Sequence, residues 1–373
     1  MKRLESLDAL RGFVMFCLVV LETTLHPLAY ALNSKAFNKF MWLFTHVEWE
    51  GLSTWDLVMP LFMFMAGVSI PFSLSKYVSS DSKSTVYLRI FRRFFLLWFL
   101  GIVCQGNLLA FDMNHIYLYS NTLQAIAIGY LFSALIFLNF KPKLQILTCV
   151  LLLLTYWISM ECIKVGEYGG GDYSQEYNLA ELIDRIVLNR FRDGASVENG
   201  VVVFAGWYNY TWILSSLNFV VTVMTGCFAG QILSRNQMGS NKKALILLIL
   251  GLALILSGWI FSFWQPIIKR IWTSSMTLVS SGFCFLVISC FYYWIDIKGH
   301  NKHLGMLKVF GMNSIAAYVM LSVIFYYNIG NLIFNNLQTF FGSYYGLFTA
   351  VFNVAIIYTV LWILYKKKAF IKV

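Results

Sequence analysis

The chain has 373 residues, of which 59% are hydrophobic, 18% aromatic and 12% charged, with 28 Lys and Arg against 17 Asp and Glu. So few charges exclude an ordinary soluble domain, and the same counts exclude disorder, a disulfide scaffold and a collagenous chain. Apolar runs of about twenty residues, continuous rather than alternating, point to helices that cross a bilayer and away from an outer-membrane barrel. The formal charge of +11 then reads as loops facing anionic lipid, with no basic stripe long enough to track a nucleic acid.

In chain order the runs predict an all-α, polytopic transmembrane bundle of about ten helices, at roughly 9–31, 52–75, 88–110, 121–139, 144–162, 210–233, 244–263, 274–295, 306–326 and 346–365. The uncharged segment 327–345, with Asn328, Asn331, Asn335 and Asn336, reads as a re-entrant or interfacial helix, or as an eleventh span. With the N-terminus inside, 20 of the 28 basic residues fall on the inner side. These are Lys2, Arg3 and Arg11; Lys76, Lys83, Arg89, Arg92 and Arg93; Lys141 and Lys143; Arg235, Lys242 and Lys243; Lys298, Lys302 and Lys308; and Lys366, Lys367, Lys368 and Lys372. The asymmetry predicts both termini inside. A cleaved leader is the rival reading at the front, where Ala29-Tyr30-Ala31 resembles a cleavage site, but Asp8, Arg11, Glu22 and His26 within the run argue against it.

A single domain over 1–373 is expected, with an outer loop at about 163–209 that contains YGGGDY (Tyr168–Tyr173) and a helical patch around Glu181, Asp184, Arg185 and Arg192. The seven cysteines, without CxxC spacing, read as small buried apolar residues.

Ionisable groups inside a span are costly unless paired or wetted, so each is a functional candidate. At 100° per residue Asp8, Arg11, Glu22 and His26 fall on one stripe, about 22 Å long from Arg11 to His26, which implies a polar route through the membrane. For Asp8 and Arg11 the alternative is a local i, i+3 pair anchoring the helix. At the outer mouth of the second helix stand His46, Glu48, Trp49, Glu50 and Asp56, with Pro60 expected to kink the helix. Histidine beside carboxylates suits a general base, because imidazole changes charge near neutrality. A solvated loop histidine is the other reading, and Trp49 and Trp55 also fit an interfacial aromatic belt. For Gln105, Asn107, Asn121, Gln124, Asn218, Thr273 to Ser275 and Asn313, interhelical hydrogen bonding is the default. His300 and His303 lie in a basic loop without carboxylate or thiol partners, so no metal is expected. There is no GxGxxG, Walker loop or GxSxG elbow.

Four strings stand out: RLESLDALRG (Arg3–Gly12), HVEWEGLSTWDLVMPLFMFMAGVSIPFSL (His46–Leu74), QPIIKRIWTSS (Gln265–Ser275) and FGMNSIAAYV (Phe310–Val319), with NTLQAIAIGYL (Asn121–Leu131) between them. The ordered set resembles the heparan-α-glucosaminide N-acetyltransferase-like membrane proteins, and more closely their bacterial, Bacteroidetes-type branch carrying a domain of unknown function (DUF5009-like). The resemblance implies an acyltransferase of the bacterial inner membrane. It would take acetyl-CoA from the cytoplasm and pass the acetyl group to an amino sugar or glycan outside; a homodimer is allowed for. The family's active histidine lies in an H-x-x-W-x-G string that matches His46, Trp49 and Gly51. On this resemblance His46 is general base or transient acetyl carrier, Glu48 or Asp56 orients it, and Glu22 joins the catalytic set. Asp8, Arg11, Arg89, Arg92, Arg93, Gln124 and Asn313 are assigned to the CoA donor. His26, Trp49, Lys269, Trp272 and Ser275 are assigned to the acceptor.

The chain also departs from that pattern. Glu22 stands where the eukaryotic enzymes carry Asn. A D-P-E-G-type string near the sixth helix is replaced by Asn209-Tyr210-Thr211-Trp212, and P-x-N-K becomes Pro266-Ile267-Ile268-Lys269. The latter two fall on the outer face and bear on the acceptor more than on the donor. A transporter or flippase for a saccharide or lipid-linked sugar, and a catalytically degenerate component of envelope glycan assembly, are the alternative readings.

Overall fold

The computed structural model describes residues 4–78, 83–105, 108–109, 111–112, 115–205, 210–302 and 304–370. Lys2, Arg3, Asn107, Asn209, His303 and Lys372 lie outside the described residues. Helix α1 (Glu5–Phe16) continues through a π-helical stretch, Cys17–Glu22, into α2 (Thr23–Leu32), followed by α3 (Lys35–Met41). Next come α4 (Val58–Leu74), α5 (Ser84–Cys104), α6 (Thr122–Asn139) and α7 (Pro142–Cys162). The segment between α7 and α9 holds two antiparallel hairpins, β1 (Lys164–Val165) with β2 (Tyr168–Gly169) and β3 (Ala195–Glu198) with β4 (Val201–Phe204), on either side of α8 (Leu179–Leu188). Helices α9 (Ser216–Ser234), α10 (Ser240–Phe261) and α11 (Ser274–Phe291) follow, then α12 (Gly305–Met312), α13 (Ser314–Tyr327), α14 (Ile329–Phe334), α15 (Gln338–Phe341) and α16 (Tyr345–Lys366).

Among the described residues eight helical runs are long and apolar enough to cross a membrane, or nine with one bent pair. This is the all-α polytopic bundle that the apolar runs predict, with four local differences. The third predicted span, α5, has the length, 21 residues, but carries Arg89, Arg92 and Arg93. The ninth is broken: α12 and α13 meet at 81°, because Asn313 leaves the helical region at φ −128, ψ 41. Segment 327–345 is a chain of short turns, interrupted where Asn328 and Gly342 take positive φ of 43 and 53. Pro60 is the third residue of α4, where a missing N–H breaks no helical bond, so it starts that helix and does not kink it.

The π stretch also corrects the single polar stripe. A π bulge adds about one residue to the helix, so residues beyond it are rotated by roughly 100° from the straight-helix position. Glu22 and His26 therefore do not continue the face of Asp8 and Arg11, and His26 is exposed.

Where one domain is expected, the described chain packs as two compact units. One comprises Val47–Leu52 and Met59–Ser289; the other comprises the described residues up to His46, Ser53–Val58 and those from Cys290 onward. In the first unit α4 and α9 meet backbone to backbone. A Cβ at Gly67 would stand 1.9 Å from the Val223 carbonyl oxygen, and one at Gly226 1.9 Å from that of Phe64. Small residues at such crossings let membrane helices gain contact where lipid supplies no hydrophobic drive. Beside them runs an aromatic column in which Trp98, Tyr119 and Trp212 follow at ring separations of 4.9 and 5.1 Å.

The second unit repeats the device. A Cβ at Gly12 of α1 would lie 1.8 Å from the Leu307 oxygen, and one at Gly311 of α12 2.2 Å from the Asp8 oxygen. Asp296 fastens the start of α1, its carboxylate accepting from Glu5 N at 3.1 Å and Ser6 N at 3.2 Å, which satisfies orphan donors of the first turn.

The outer loop of the first unit is stapled by buried charge. Arg192, fully buried, donates to Glu181, which also accepts from Arg185 Nε at 2.7 Å. Asp184 accepts from the backbone N–H groups of Trp212 (2.7 Å) and Ile213 (2.9 Å), holding the turn that leads into α9. Burial pushes the Asp184 carboxyl up to about 8, against the pull of those two donors and of Arg192.

Two predictions follow from these contacts. Gly12→Ala and Gly226→Ala should each destabilise the detergent-solubilised protein by roughly 1–3 kcal/mol or more through overpacking, whereas Gly305→Ala, with nothing within 4 Å of its Cβ, should leave the thermal midpoint unchanged. For Asp184 the folded value lies above the ordinary one near 4, so between about pH 4 and about 8 the fold keeps a proton that the unfolded chain releases. Stability should therefore fall as pH rises through that window, and Asp184→Asn should flatten this part of a thermal-midpoint profile.

Candidate functional site

His46 and Asp56 belong to the same unit, and local sequence explains how they meet. The string Ser53-Thr54-Trp55-Asp56 is a capping box at the start of the helical turn Trp55–Leu57. Ser53 donates to Asp56 Oδ2 through both its backbone N and its Oγ, each at 2.9 Å, and Asp56 N approaches Ser53 Oγ at 3.3 Å. With Oδ2 committed, Oδ1 faces His46 Nδ1 at 2.7 Å. The Asp56 side chain is 2% exposed and that of His46 47%. With Asp56 ionised, this contact takes Nδ1–H as its donor and leaves Nε2 as the nitrogen that can accept a proton. Phe44 and Trp55 close the flank with rings 5.3 Å apart. The capping box is a sequence signal readable in advance that singles out Asp56; Glu48 and Glu50 are exposed.

The other residues of the H-x-x-W-x-G string dock in the first unit. Gly51 N donates to the Ile267 carbonyl at 2.8 Å, Glu50 forms an isolated β-bridge with Ile268, and Trp49 Nε1 donates to the Tyr173 carbonyl at 2.9 Å. Of the predicted acceptor residues, Trp272 and Ser275 are fully buried. Trp272 sits at φ +51, donates to Thr222 Oγ1 at 3.2 Å and packs on Phe219. Ser275 donates to the Pro266 carbonyl at 2.9 Å. Trp272 thus anchors its loop to α9, and Ser275 closes the loop on itself. Lys269 is buried, its Nζ 5.6 Å from the centroid of the Tyr210 ring. Ile268 lies in an apolar cluster with Tyr156, Met160, Leu179, Ala180 and Ile271, with Trp49 packed against it. The replacement of an amide by Ile268 thus fills a core position. Tyr173, Gln265 and Thr273, which no motif singled out as functional, hold this region together.

Part of the predicted donor set converges in the second unit. A cavity of about 550 Å³ is lined by Asp8, Lys308, Lys366, Lys368, Tyr365 and Phe370, among others. Lys308 pairs with Glu5 at 2.9 Å, Arg11 stands 3.9 Å from Asp8, and Asn313 Nδ2 donates to the Ala369 carbonyl at 3.3 Å. Lys308, Lys366 and Lys368 had been read only as markers of the inner side. Gln124 is fully buried; it donates to the Leu118 carbonyl at 2.6 Å and accepts from Ser120 N at 2.9 Å. Arg89 donates to Tyr77 Oη at 2.8 Å, Arg93 lies over the Tyr130 ring at 4.1 Å, and Arg92 is exposed. Glu22 is half-buried.

Comparison with known proteins meets this geometry along most of the chain. Residues 3–190 match the family model described as Domain of unknown function (DUF5009). The chain is 27% identical over 370 residues to heparan-alpha-glucosaminide N-acetyltransferase of Homo sapiens, covering 85% of this chain and 52% of that protein. For the protein of the same name in Mus musculus the identity is 26% over 369 residues, covering 85% and 53%. The chain spans about half the length of these curated relatives. With its family match over half its length and its bundle of apolar helices, the chain belongs to the DUF5009 family, as a multi-pass membrane protein similar to heparan-alpha-glucosaminide N-acetyltransferase.

Proposed function

We propose that this protein is a membrane-bound acetyltransferase of a bacterial inner membrane that moves acetyl from cytoplasmic acetyl-CoA to an extracytoplasmic amino sugar or glycan. The observation that carries the reading is the His46–Asp56 pair at 2.7 Å, a half-exposed imidazole oriented by a buried carboxylate. The name of the human and mouse relatives, heparan-alpha-glucosaminide N-acetyltransferase, supports acetyl transfer to a glucosaminide. The inner-side bias of Lys and Arg supports an inside placement of both termini and of the Lys308 cavity.

In this reading His46 Nε2 takes the proton of the acceptor amine as its nitrogen bonds to the acetyl carbonyl carbon. The carbon–sulfur bond then breaks and the CoA sulfur leaves with the electron pair. Asp56 fixes the imidazole tautomer and stabilises the imidazolium that forms. Ser53 holds Asp56 in register. Lys308, Lys366 and Lys368 offer ammonium groups for donor phosphates, and Tyr365 and Phe370 offer rings for its base. This cavity gathers three ammonium groups around one hollow, whereas Arg89 and Arg93 each lie over a tyrosine ring.

Acetyl transfer to glucosamine by purified protein in nanodiscs tests the assignment. His46→Ala should lower kcat by about 10²–10⁴-fold, the usual contribution of a general base. Asp56→Asn should do the same with KM for acetyl-CoA held, and turnover unchanged in His46→Ala would remove His46 from the mechanism. Lys308→Gln combined with Lys366→Gln should raise KM for acetyl-CoA by roughly tenfold or more, as loss of charge-assisted contacts to phosphate demands. An equal rise in Arg92→Gln, or none in the lysine variant, would move the donor seat elsewhere.

A further inference from the structure

The first unit carries a second basic cavity that the acetyl-transfer reading does not use. It measures about 510 Å³, lies between the end of α9 and the start of α10, and is lined by Arg235, Asn236, Gln237, Met238 and Lys242, with Gly239. The sequence has no acidic residue from 199 to 295, and among the described residues neither Arg235 nor Lys242 makes an ion pair. Lys143 is near the same membrane end: Gln145, two residues beyond it, accepts from Gln231 Nε2 at 2.9 Å, one turn before Arg235. Two unneutralised cations beside a polar hollow call for an anion.

The position of α10 identifies the source of that anion. Leu245, Ile249, Leu252 and Leu256 recur at helical spacing and are each 53–55% exposed, which makes one apolar stripe facing away from the protein. The stripe begins one turn from the cavity. At its far end Trp259 and Phe263 are exposed at 56% and 71%, an interfacial belt. From Lys242 to Trp259 the rise is about 25 Å at 1.5 Å per residue, close to the hydrocarbon thickness of about 30 Å. Arg235 and Lys242 therefore stand at headgroup depth, and acyl chains have the exposed stripe to follow.

We propose that the Arg235–Lys242 cavity is a binding site for the phosphate of an anionic membrane lipid, whose acyl chains lie along the exposed stripe of α10. The phosphate oxygens accept from the Arg235 guanidinium and the Lys242 ammonium, and Asn236 and Gln237 supply neutral donors for the remaining headgroup.

Native mass spectrometry of the full chain, released from micelles containing equal amounts of phosphatidylglycerol and phosphatidylcholine, tests this. Wild type should retain phosphatidylglycerol about 30-fold more than phosphatidylcholine, since each of two cations at a membrane surface contributes about fivefold. Arg235→Gln with Lys242→Gln should abolish the preference, whereas Lys141→Gln with Lys143→Gln, the same charge change at the same membrane end, should keep it. Equal retention of the two lipids by wild type overturns the proposal without reference to any variant. So does equal loss in both double variants, which would reduce the effect to general surface charge. Displacement of the lipid by millimolar inorganic phosphate would assign the cavity to a soluble phosphate and overturn the lipid assignment.

Discussion

Buried polar atoms organise the loop 265–276 of the larger unit, and the Thr273 hydroxyl is where they meet. Its oxygen accepts from Ile268 N at 3.1 Å and Met276 N at 3.3 Å and pairs with Ser275 Oγ at 3.0 Å. Gln265 reaches across the same loop to accept from Ser274 N at 2.7 Å and to donate to Tyr173 Oη at 3.1 Å. An unpaired group here costs more than a made bond returns, so the loop has few alternatives to closing on itself. Once closed, it presents the Ile267 carbonyl and the backbone of Ile268 as an edge, and residues 49–51 dock on that edge. The anchoring of the H-x-x-W-x-G string from Val47 onward is thus a consequence of side chains more than two hundred residues away.

The two strings that flank the chain depend on close backbone approach. Gly12, which closes RLESLDALRG, and Gly311, the second residue of FGMN, are the two glycines through which α1 and α12 touch. Packing of this kind needs the absent Cβ on both helices, so part of what makes these strings distinctive is steric. Asp8 shows the overlap: its carbonyl faces Gly311 while its side chain lines the lysine cavity. A helix held this close to its neighbour keeps Asp8 and Lys308 on a common wall, and that wall is what the proposed donor seat requires.

Length and hydrophobicity were enough to read the helices, because a twenty-residue apolar run has few options other than a span. The helical patch in the outer loop was readable for a related reason: α8 alternates Leu179, Ile183 and Leu188 with Glu181, Asp184 and Arg185. Finer features were hidden because they depend on partners distant in sequence. The π stretch at Cys17–Glu22 leaves no composition signal, and it undid the angular arithmetic for Glu22 and His26. Asn313 breaks a helix that hydropathy draws as continuous, with its amide on the Ala369 carbonyl 56 residues later. Trp272, Ser275 and Gln124 each have structural partners that the sequence does not announce: Trp272 bonds Thr222 on α9, Ser275 the Pro266 carbonyl and Gln124 the Leu118 carbonyl. A polar side chain in such a string reads the same whether it faces a substrate or satisfies a neighbouring backbone. Ser53-x-x-Asp56, by contrast, has capping-box spacing that the sequence reading left unused, and it is the feature that separates Asp56 from Glu48 and Glu50.

Environment rather than residue type distinguishes the His46 pair from the other His–Asp pair among the described residues. His115 Nδ1 stands 2.8 Å from Asp112 Oδ2, much as His46 does from Asp56, but both side chains are open, at 44% and 42%. Water and salt screen such a pair. Asp56 is 2% exposed and accepts from Ser53 at Oδ2, while its Oδ1 faces His46. The ring is held in one tautomer before any substrate arrives, and a positive charge forming on it would meet a carboxylate already desolvated and aligned. The orienting cost is then met in folding, through the same capping box that starts the helix, and that coupling gives His46 a stronger claim to chemistry than His115.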